Sequence, residues 1–376
     1  MKIALVYDRV NKFGGAERVL LALHEIWPQA PLYTSVYDKK NAPWAKDFKV
    51  IPSFLQKMPF AKKNHESFAP IMPVVFESFD FNDYDVVISV TSEAAKGIVT
   101  KPNVLHLCYC LTPTRYLWSG YEQYFNKGFK RLLMRYPIAY LRLWDKIAAE
   151  RPDCYIAISE TVRARIKNYY HRESEIIYPP VETEKFKIRN PKSEINTKYF
   201  LIVSRLVEYK KVDLVIETFN KLEWNLKIIG VGRKMRGLTR LRDSFGKAKR
   251  KNIEFLGQLT DDKLLAYYQK CEAVIFPQEE DFGIVALEAM ACGKPVIVYD
   301  KGGASETVID GVTGFFFKEQ TVEALAAKLQ SFKAESFKQK DCRQQAEKFN
   351  KERFKQEFKK FVEDRWKNHT KIISTS

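Results

Sequence analysis

The sequence predicts an α/β protein built from two consecutive units, each a parallel sheet covered by helices. Two observations carry this. Short β-branched runs alternate along the chain with segments whose apolar residues recur at helical spacing, and such alternation builds parallel strands joined by crossover helices. Near the middle, at 178–183, the sequence reads YPPVET. Two consecutive prolines cannot continue a helix and hold the backbone extended, and beyond them the alternation starts afresh. With 376 residues, 45% of them hydrophobic, the chain has apolar material for two cores. We therefore expect a first domain over 1–180 and a second over 181–349, with a C-terminal helix at about 350–376 packing back toward the first.

In the first domain KIALVY is a strand and GAERVLLALHEIW the helix after it. DVVISV (85–90), LHLCYCL (105–111) and CYIAIS (154–159) are further strands, and ETVRARIKNYY is a helix. In the second domain YFLIVS (199–204) leads into the helix VDLVIETFNKL, and LKIIGVG (226–232) is a strand running into a glycine turn. IEFLG, AVIFP and PVIVY are strands, each followed by a helix or a turn. Toward the C-terminus AEKFNKERFKQEFKKFVEDRW reads as one amphipathic helix with Phe349, Phe354, Phe358, Phe361 and Val362 on its apolar stripe. Units of this kind are Rossmann-like. Two of them are expected to face one cleft, with ligands at the C-terminal ends of the strands.

Charge narrows the partners. Lysine and arginine total 63 against 46 acids, so 63 − 46 = +17, which suits nucleic acid, an anionic membrane surface or phosphorylated small molecules. Nucleic acid is disfavoured, because no binding module is present and the basic residues are interspersed with acids. The six cysteines show no C-x-x-C spacing, so no zinc site is expected. The opening MKIALVYDRV meets an acid at Asp8 and reads as a strand rather than a secretion signal. No uninterrupted apolar run approaches the roughly 20 residues that span a bilayer, and a reducing, cytoplasmic setting is expected. The glycine turn NKFGGAER (11–18) lacks G-x-G-x-x-G, which argues against a dinucleotide cofactor and a nicotinamide-dependent oxidoreductase. Gly14 and Gly15 form a tight strand-to-helix turn and are also candidate site backbone.

The chemistry concentrates in FPQEEDFGIVALEAMACGKPVIVY (276–299). Pro277 to Asp281 is the loop after a strand, Gly283 to Cys292 the following helix, and Gly293 its stop. A helix N-terminus offers free N–H groups and a positive dipole end, which suit a phosphate, and Gly283 allows close backbone approach. Glu279 and Asp281 read as acids favoured at a helix start. Glu280 and Glu288, eight positions apart, allow two readings: the same electrostatic preference, or carboxylates that accept hydrogen bonds from sugar hydroxyls on either side of a diphosphate.

ED-FG-IVALEAMACGKPVI, with its Glu280–Glu288 spacing, resembles the retaining glycosyltransferases of family 4, which have the GT-B fold. SRLVEYKKVDLVIETF (204–219), GVG (230–232), FLGQL (255–259) and GGASETVIDGVTGFFF (302–317) agree in order and spacing. The resemblance covers nearly the whole chain. It implies a sugar nucleotide held by the second domain. Arg205 and Lys210 would contact its diphosphate and neutralise the departing group, Glu280 would bind the sugar hydroxyls and Glu288 the ribose. Phe282, the backbone of Gly283 and Ile284, and Gly232 would complete the donor site, while Gly302 and Gly303 shape a turn. Lys211 stands where the family usually has glycine. No metal and no separate cofactor are implied, since two cations and a helix dipole replace a divalent ion.

CYCLTPTRYLWSGYEQYF (108–125) resembles a subgroup assigned to mannosyl transfer in cell-surface polysaccharides, which points to a hexose, mannose from GDP-mannose, with a UDP-sugar as the alternative donor. The acceptor implied is a glycan or lipid-linked hydroxyl. Leu111 occupies the place of a histidine found in many relatives, and leucine can neither donate a hydrogen bond nor shuttle a proton. His106 lies inside a strand and reads as structural. Arg115 is the first-domain candidate for an anionic acceptor; a helix-surface arginine is the competing reading. Two stretches, 54–76 and 124–144, the latter with Lys127, Lys130, Arg131, Arg135 and Arg142, mix aromatic and basic residues. Each reads as a core helix with a solvated basic face or as a contact with an anionic membrane surface, and peripheral attachment to the inner face of the cell membrane is expected.

Overall fold

The computed structural model describes residues 1–62, 64–125, 132, 134–187, 198–244 and 252–375. Lys127, Lys130 and Arg131 lie outside the described residues. The chain divides into two compact units, residues 1–180 with 352–376, and residues 181–351.

The first unit is built on a seven-stranded sheet of order β3-β2-β1-β4-β5-β6-β7. Its strands are β1 (Ile3–Tyr7), β2 (Leu32–Thr34), β3 (Val50–Pro52), β4 (Val86–Thr91), β5 (Leu105–Cys110), β6 (Cys154–Ala157) and β7 (Ser174–Ile176). Every pairing is parallel. Strands β1, β4 and β5 are buried at every position, as their apolar runs require when helices cover both faces. The helices are α1 (Gly15–Ile26), α2 (Met72–Glu77), α3 (Tyr121–Tyr124), α4 (Arg135–Ala149) and α5 (Glu160–Tyr170). Ser159 starts α5 by accepting the Val162 N–H at 3.1 Å.

The second unit repeats the plan with a six-stranded parallel sheet of order β10-β9-β8-β11-β12-β13. Its strands are β8 (Phe200–Val203), β9 (Leu226–Ile229), β10 (Ile253–Gly257), β11 (Val274–Phe276), β12 (Val296–Tyr299) and β13 (Gly314–Phe317). Helices α6 (Val212–Leu222), α7 (Met235–Ser244), α8 (Asp261–Lys270), α9 (Ile284–Ala291), α10 (Val322–Ser331) and α11 (Gln339–Glu347) follow in chain order. One core cluster joins Phe200, Ile202, Val215, Phe219, Ile228, Ile275 and Leu325 from the sheet and its helices.

The C-terminal segment corrects the expectation of one amphipathic helix. Helix α11 ends at Glu347, and α12 (Lys351–Thr375) starts afresh. Between them Phe349 O accepts the Val181 N–H at 3.0 Å and Asn350 bridges to Val181. Pairing with Val181 takes the place of helical bonds, so Phe349 leaves the stripe and packs in the second unit. Helix α12 lies on the first unit. Phe354, Phe358 and Val362, four apart, are fully buried, and the first two rings lie 6.0 and 5.5 Å from Tyr109 of β5.

In both sheets the chain runs outward one way (β1 to β3, β8 to β10) and then returns to the centre to run the other way (from β4, from β11). The order therefore reverses between β1 and β4, and between β8 and β11. Those are the switch points at which open parallel sheets expose the crevice that takes ligands. Among the described residues no helix is long and apolar enough to cross a membrane.

Candidate functional site

At the switch point of the second sheet two loops meet. One follows β8 and carries Arg205, Lys210 and Lys211. The other follows β11 and carries Glu279 to Gly283. Lys210 and Glu280, 70 positions apart in the chain, form an ion pair with side chains only 12% and 20% exposed. Lys210 also lies over the Tyr209 ring, 5.2 Å from its centroid. Arg205 is exposed, and its guanidinium donates to the Tyr209 hydroxyl at 2.9 Å. The two loops thus bring two cations and a carboxylate to one edge of the sheet.

Backbone geometry shapes this edge. Gly283 is the N-cap of α9 in the left-handed region (φ 93°), with no side chain capping the helix. A Cβ on it would lie 2.8 Å from the Ala304 Cβ, so the position needs glycine for both conformation and space. The first N–H groups of a helix have no intrahelical acceptor. Those of Ile284 and its neighbour, at the positive end of the dipole, form an anion-ready surface. Phe282 is 3% exposed, its ring 6.0 Å from that of Phe349. Its side chain serves packing, which leaves its backbone to the loop. Glu288, one turn into α9, is 3% exposed and accepts the Tyr268 hydroxyl of α8 at 2.9 Å.

Glycines expected as turns (Gly230, Gly302, Gly303) and Gly232, expected at the donor site, hold both loops from behind. Gly230 and Gly232 press against the backbone of the β8 loop: a Cβ on Gly232 would lie 2.3 Å from Leu206 O, and one on Gly230 1.9 Å from Ser204 O. Leu206 N–H donates to Val231 O at 3.0 Å. Gly303 N–H donates to Glu280 O at 2.8 Å, and a Cβ on Gly302 would lie 2.6 Å from the same oxygen. GVG and GG are backbone-to-backbone contacts that fix Arg205 and Glu280. Lys211 takes φ 52°, the left-handed region for which glycine is suited.

In the first unit Gly14 and Gly15 form the start of α1, at the C-terminal end of β1. Below them Glu17, 1% exposed, accepts the Tyr7 hydroxyl at 2.7 Å; burial and then this carboxylate push the Tyr7 pKa well up. Asp8, which in the sequence only marks the end of an apolar run, ties the switch point together. It accepts Thr91 Oγ1 and the N–H groups of Ser92, Ala94 and Ala95 at 2.8–2.9 Å. Burial, then Glu93, push its pKa up. Arg9 pairs with Glu93 at 2.7 Å.

Arg115 sits half-buried in a turn after β5 rather than on a helix surface. Its loop is anchored by a buried network: Asp145 Oδ1 takes Lys96 Nζ at 2.5 Å and Thr114 Oγ1 at 2.9 Å, and Oδ2 takes Trp118 Nε1 at 2.7 Å. Lys96 and Asp145 are 1% and 0% exposed, which the helix pattern around Asp145 gives no means of foreseeing. Leu111, at the end of β5, is half-buried. His106 is fully buried, bonded to Ser89 Oγ at 2.8 Å. Burial, with Arg151 and Arg172 nearby, pushes its pKa down to about 3, so it is a neutral structural group. Among the described residues no group of three or more His, Cys, Asp or Glu is placed to hold a metal ion.

Residues 183–349, nearly all of the second unit, match the family model "Glycosyl transferases group 1". This segment is similar to the group 1 glycosyl transferases. An uncharacterized glycosyltransferase of Methanocaldococcus jannaschii is 29% identical over 189 residues, 50% of this chain and 52% of that protein. A GDP-mannose-dependent α-(1-6)-phosphatidylinositol monomannoside mannosyltransferase of Mycolicibacterium smegmatis is 28% identical over 196 residues, 46% of this chain and 51% of that protein. The chain spans about half the length of the curated relatives it matches. Anabaena HepE, solved in complex with UDP and glucose, superposes with a TM-score of 0.71 at 19% identity, over 96% of this chain and 99% of that one. The fold is therefore GT-B, with two Rossmann-like halves, and the ion pair and helix start described above lie within the matched segment.

Proposed function

We propose that the chain is a retaining glycosyltransferase that moves a hexose from a sugar nucleotide, GDP-mannose in the first instance, to a hydroxyl of a glycan or lipid-linked acceptor. The observation that carries the reading is the convergence of Arg205, Lys210 and Glu280 beside the uncapped start of α9 at a switch point. In this reading the diphosphate rests against the N–H groups of Ile284 and its neighbour, in loops that Gly283 and Gly232 let pack closely on Ala304 and Leu206. Arg205 and Lys210 neutralise the charge that grows on the nucleoside diphosphate as the glycosidic C–O bond breaks. Glu280, freed from Lys210 when phosphate replaces it, accepts hydrogen bonds from the sugar hydroxyls, and Glu288, oriented by Tyr268, takes those of the ribose.

The new bond forms on the face the leaving group vacates, and the acceptor proton passes to the departing phosphate oxygen, so configuration is retained without a protein nucleophile. Two cations and a helix dipole supply the charge that a divalent ion supplies elsewhere, so neither metal nor separate cofactor enters the scheme. Gly14, Gly15 and Arg115 at the C-terminal edge of the first sheet take the acceptor side, with Arg115 directed to an anionic group. Mannose from GDP-mannose is favoured by the mycolicibacterial relative, which is named for that donor. A UDP-sugar is the second reading, favoured by the HepE complex with UDP and glucose. A lipid-linked acceptor places the enzyme at a membrane surface as a peripheral protein.

Calorimetric titration with GDP, UDP and ADP, followed by transfer assays from GDP-mannose, tests the reading. GDP is expected to bind most tightly. Glu280→Gln is expected to abolish transfer with an unchanged thermal midpoint, and Arg205→Ala to weaken donor binding and turnover together. Wild-type rates from either variant would remove the assignment.

A further inference from the structure

Helix α4 has two apolar faces. Ile138, Leu141, Ala148 and Ala149 are buried against the first unit. Tyr136, Tyr140, Leu143 and Ile147 are 81%, 48%, 64% and 53% exposed. Their spacings of four, three and four, at about 100° per residue, place all four within about a 60° arc. This arc lies opposite the buried one. Single exposed apolar side chains are ordinary, but a continuous stripe of about three turns is not.

The charges beside the stripe are basic apart from one exposed acid, the cap residue Glu150, which lies 3.7 Å from Arg172. Arg135, Arg142 and Lys146 fall within about a 40° arc along one flank, and the helix's one acid, Asp145, is buried in the Lys96 network. Arg142 lies 4.4 Å over the Tyr121 ring and Lys146 5.6 Å over that of Trp118, so aromatic rings line the basic flank. An apolar stripe with tyrosines, flanked by a ribbon of basic residues, matches a helix lying in the plane of a bilayer interface. A second copy of the chain is the alternative occupant. It would bring the same three cations into the contact with only the cap residue Glu150, already beside Arg172, to answer them, whereas anionic lipid headgroups complement them.

We propose that the outer face of α4 is an interfacial anchor. Tyr136, Tyr140, Leu143 and Ile147 enter the headgroup–acyl boundary of an anionic lipid surface while Arg135, Arg142 and Lys146 meet its headgroups. The proposal deepens the lipid-surface reading of the acceptor and names the element responsible. It stands on the helix alone, so it is tested separately from donor chemistry.

The experiment is co-sedimentation of the full chain with vesicles of phosphatidylglycerol and phosphatidylcholine, against pure phosphatidylcholine. Binding is expected on the anionic vesicles only and to weaken as salt rises. Leu143→Ser with Ile147→Ser is expected to lower the partition coefficient by about tenfold or more per side chain. Because both residues are exposed, the thermal midpoint and GDP binding should be unchanged. No sedimentation with anionic vesicles at low salt would overturn the proposal, as would sedimentation unaffected by the double substitution. A concentration-dependent dimer in sedimentation equilibrium, lost in the same variant without vesicle binding, would assign the stripe to a second copy instead. Lost GDP binding in the wild type with vesicle binding intact would strike the donor reading and leave this one standing.

Discussion

Gly302 contributes no functional group, yet its substitution should damage the donor site. Its backbone sits at φ 89°, ψ −178°, a region open essentially to glycine alone, and an alanine held there costs about 1–3 kcal/mol. The new Cβ would lie 2.6 Å from Glu280 O and 2.9 Å from Glu280 N. Both are backbone atoms that no rotamer change can clear, so the overlap adds about 1–3 kcal/mol. The sum, about 2–6 kcal/mol, is a large part of a typical domain stability. At roughly 2–4 °C per kcal/mol it lowers the midpoint of the second unit by roughly 4–24 °C. If the loop instead yields, Glu280 shifts by a sizeable part of an ångström and GDP affinity falls at least about tenfold. Thermal denaturation and calorimetric titration of Gly302→Ala read both outcomes. Gly311→Ala is the control. It has φ 75° but nothing within 4 Å of the added Cβ, so it should lose about 1 kcal/mol with GDP binding intact. A Gly302→Ala protein that melts within about 1 °C of wild type and binds GDP normally would refute the claim that this glycine holds the Glu280 loop.

Two further predictions concern the backbone and the pH profile. Lys211→Gly removes the cost of a lysine at φ 52°, about 1–2 kcal/mol, partly offset by the greater freedom of glycine in the unfolded chain; a net gain of up to about 1 kcal/mol should raise the midpoint in thermal denaturation, and a lowered midpoint would count against it. His106 stays neutral in the fold down to about pH 3, while the unfolded chain takes up that proton near pH 6.5. Stability is therefore full above pH 6.5 and is lost as pH falls toward 3, by at most about 1.4 kcal/mol per pH unit. His106→Gln, which can keep the bond to Ser89, should flatten this limb in urea titrations at successive pH values, with His65, pushed down to about 4 by burial and then Arg9, leaving a residual slope. An unchanged limb would assign the acid sensitivity elsewhere.

The parts of this fold legible in the sequence are those where burial leaves a continuous record. Strands β1, β8, β11 and β12 are unbroken apolar runs, and β4, β5 and β9 are apolar runs interrupted at Ser89, His106 and Lys227, because helices cover both sides; helices α5 and α6 coincide with the segments that helical period marks out. Strands β2, β3 and β7 are not marked by any such run. Each has three residues, and β3 and β7 are sheet edges, where one missing neighbour relaxes the demand for a long apolar run. The same contrast divides the candidate site. Glu279 to Glu288 and Arg205 to Lys211 are short contiguous stretches beside strand ends, so their residue types can be weighed together from the sequence alone. The Lys96–Asp145–Thr114–Trp118 network joins three separate segments, and its acid stands on a helix as if solvated; period and composition carry no sign of it.

The glycines show why some function-bearing positions are legible only as exceptions. Gly230, Gly232, Gly302 and Gly303 offer no side-chain chemistry, and all but Gly232, expected at the donor site, read in sequence as turns. In the fold they are places where one loop backbone lies against another, so the side chains displayed by the touched loops, Arg205 and Glu280, are aimed by residues that have none. Lys211 makes the complementary point. It departs from glycine at a left-handed position and tolerates the strain because the 3₁₀ turn of Glu208–Lys210 delivers the chain there, its Lys211 N–H bonded to Glu208 O at 3.2 Å. The cost of that departure falls on stability, while Lys210, one residue earlier, keeps its pairing with Glu280. A site of this kind is set by where the backbone is allowed to go, and its charged residues matter only once that path is fixed.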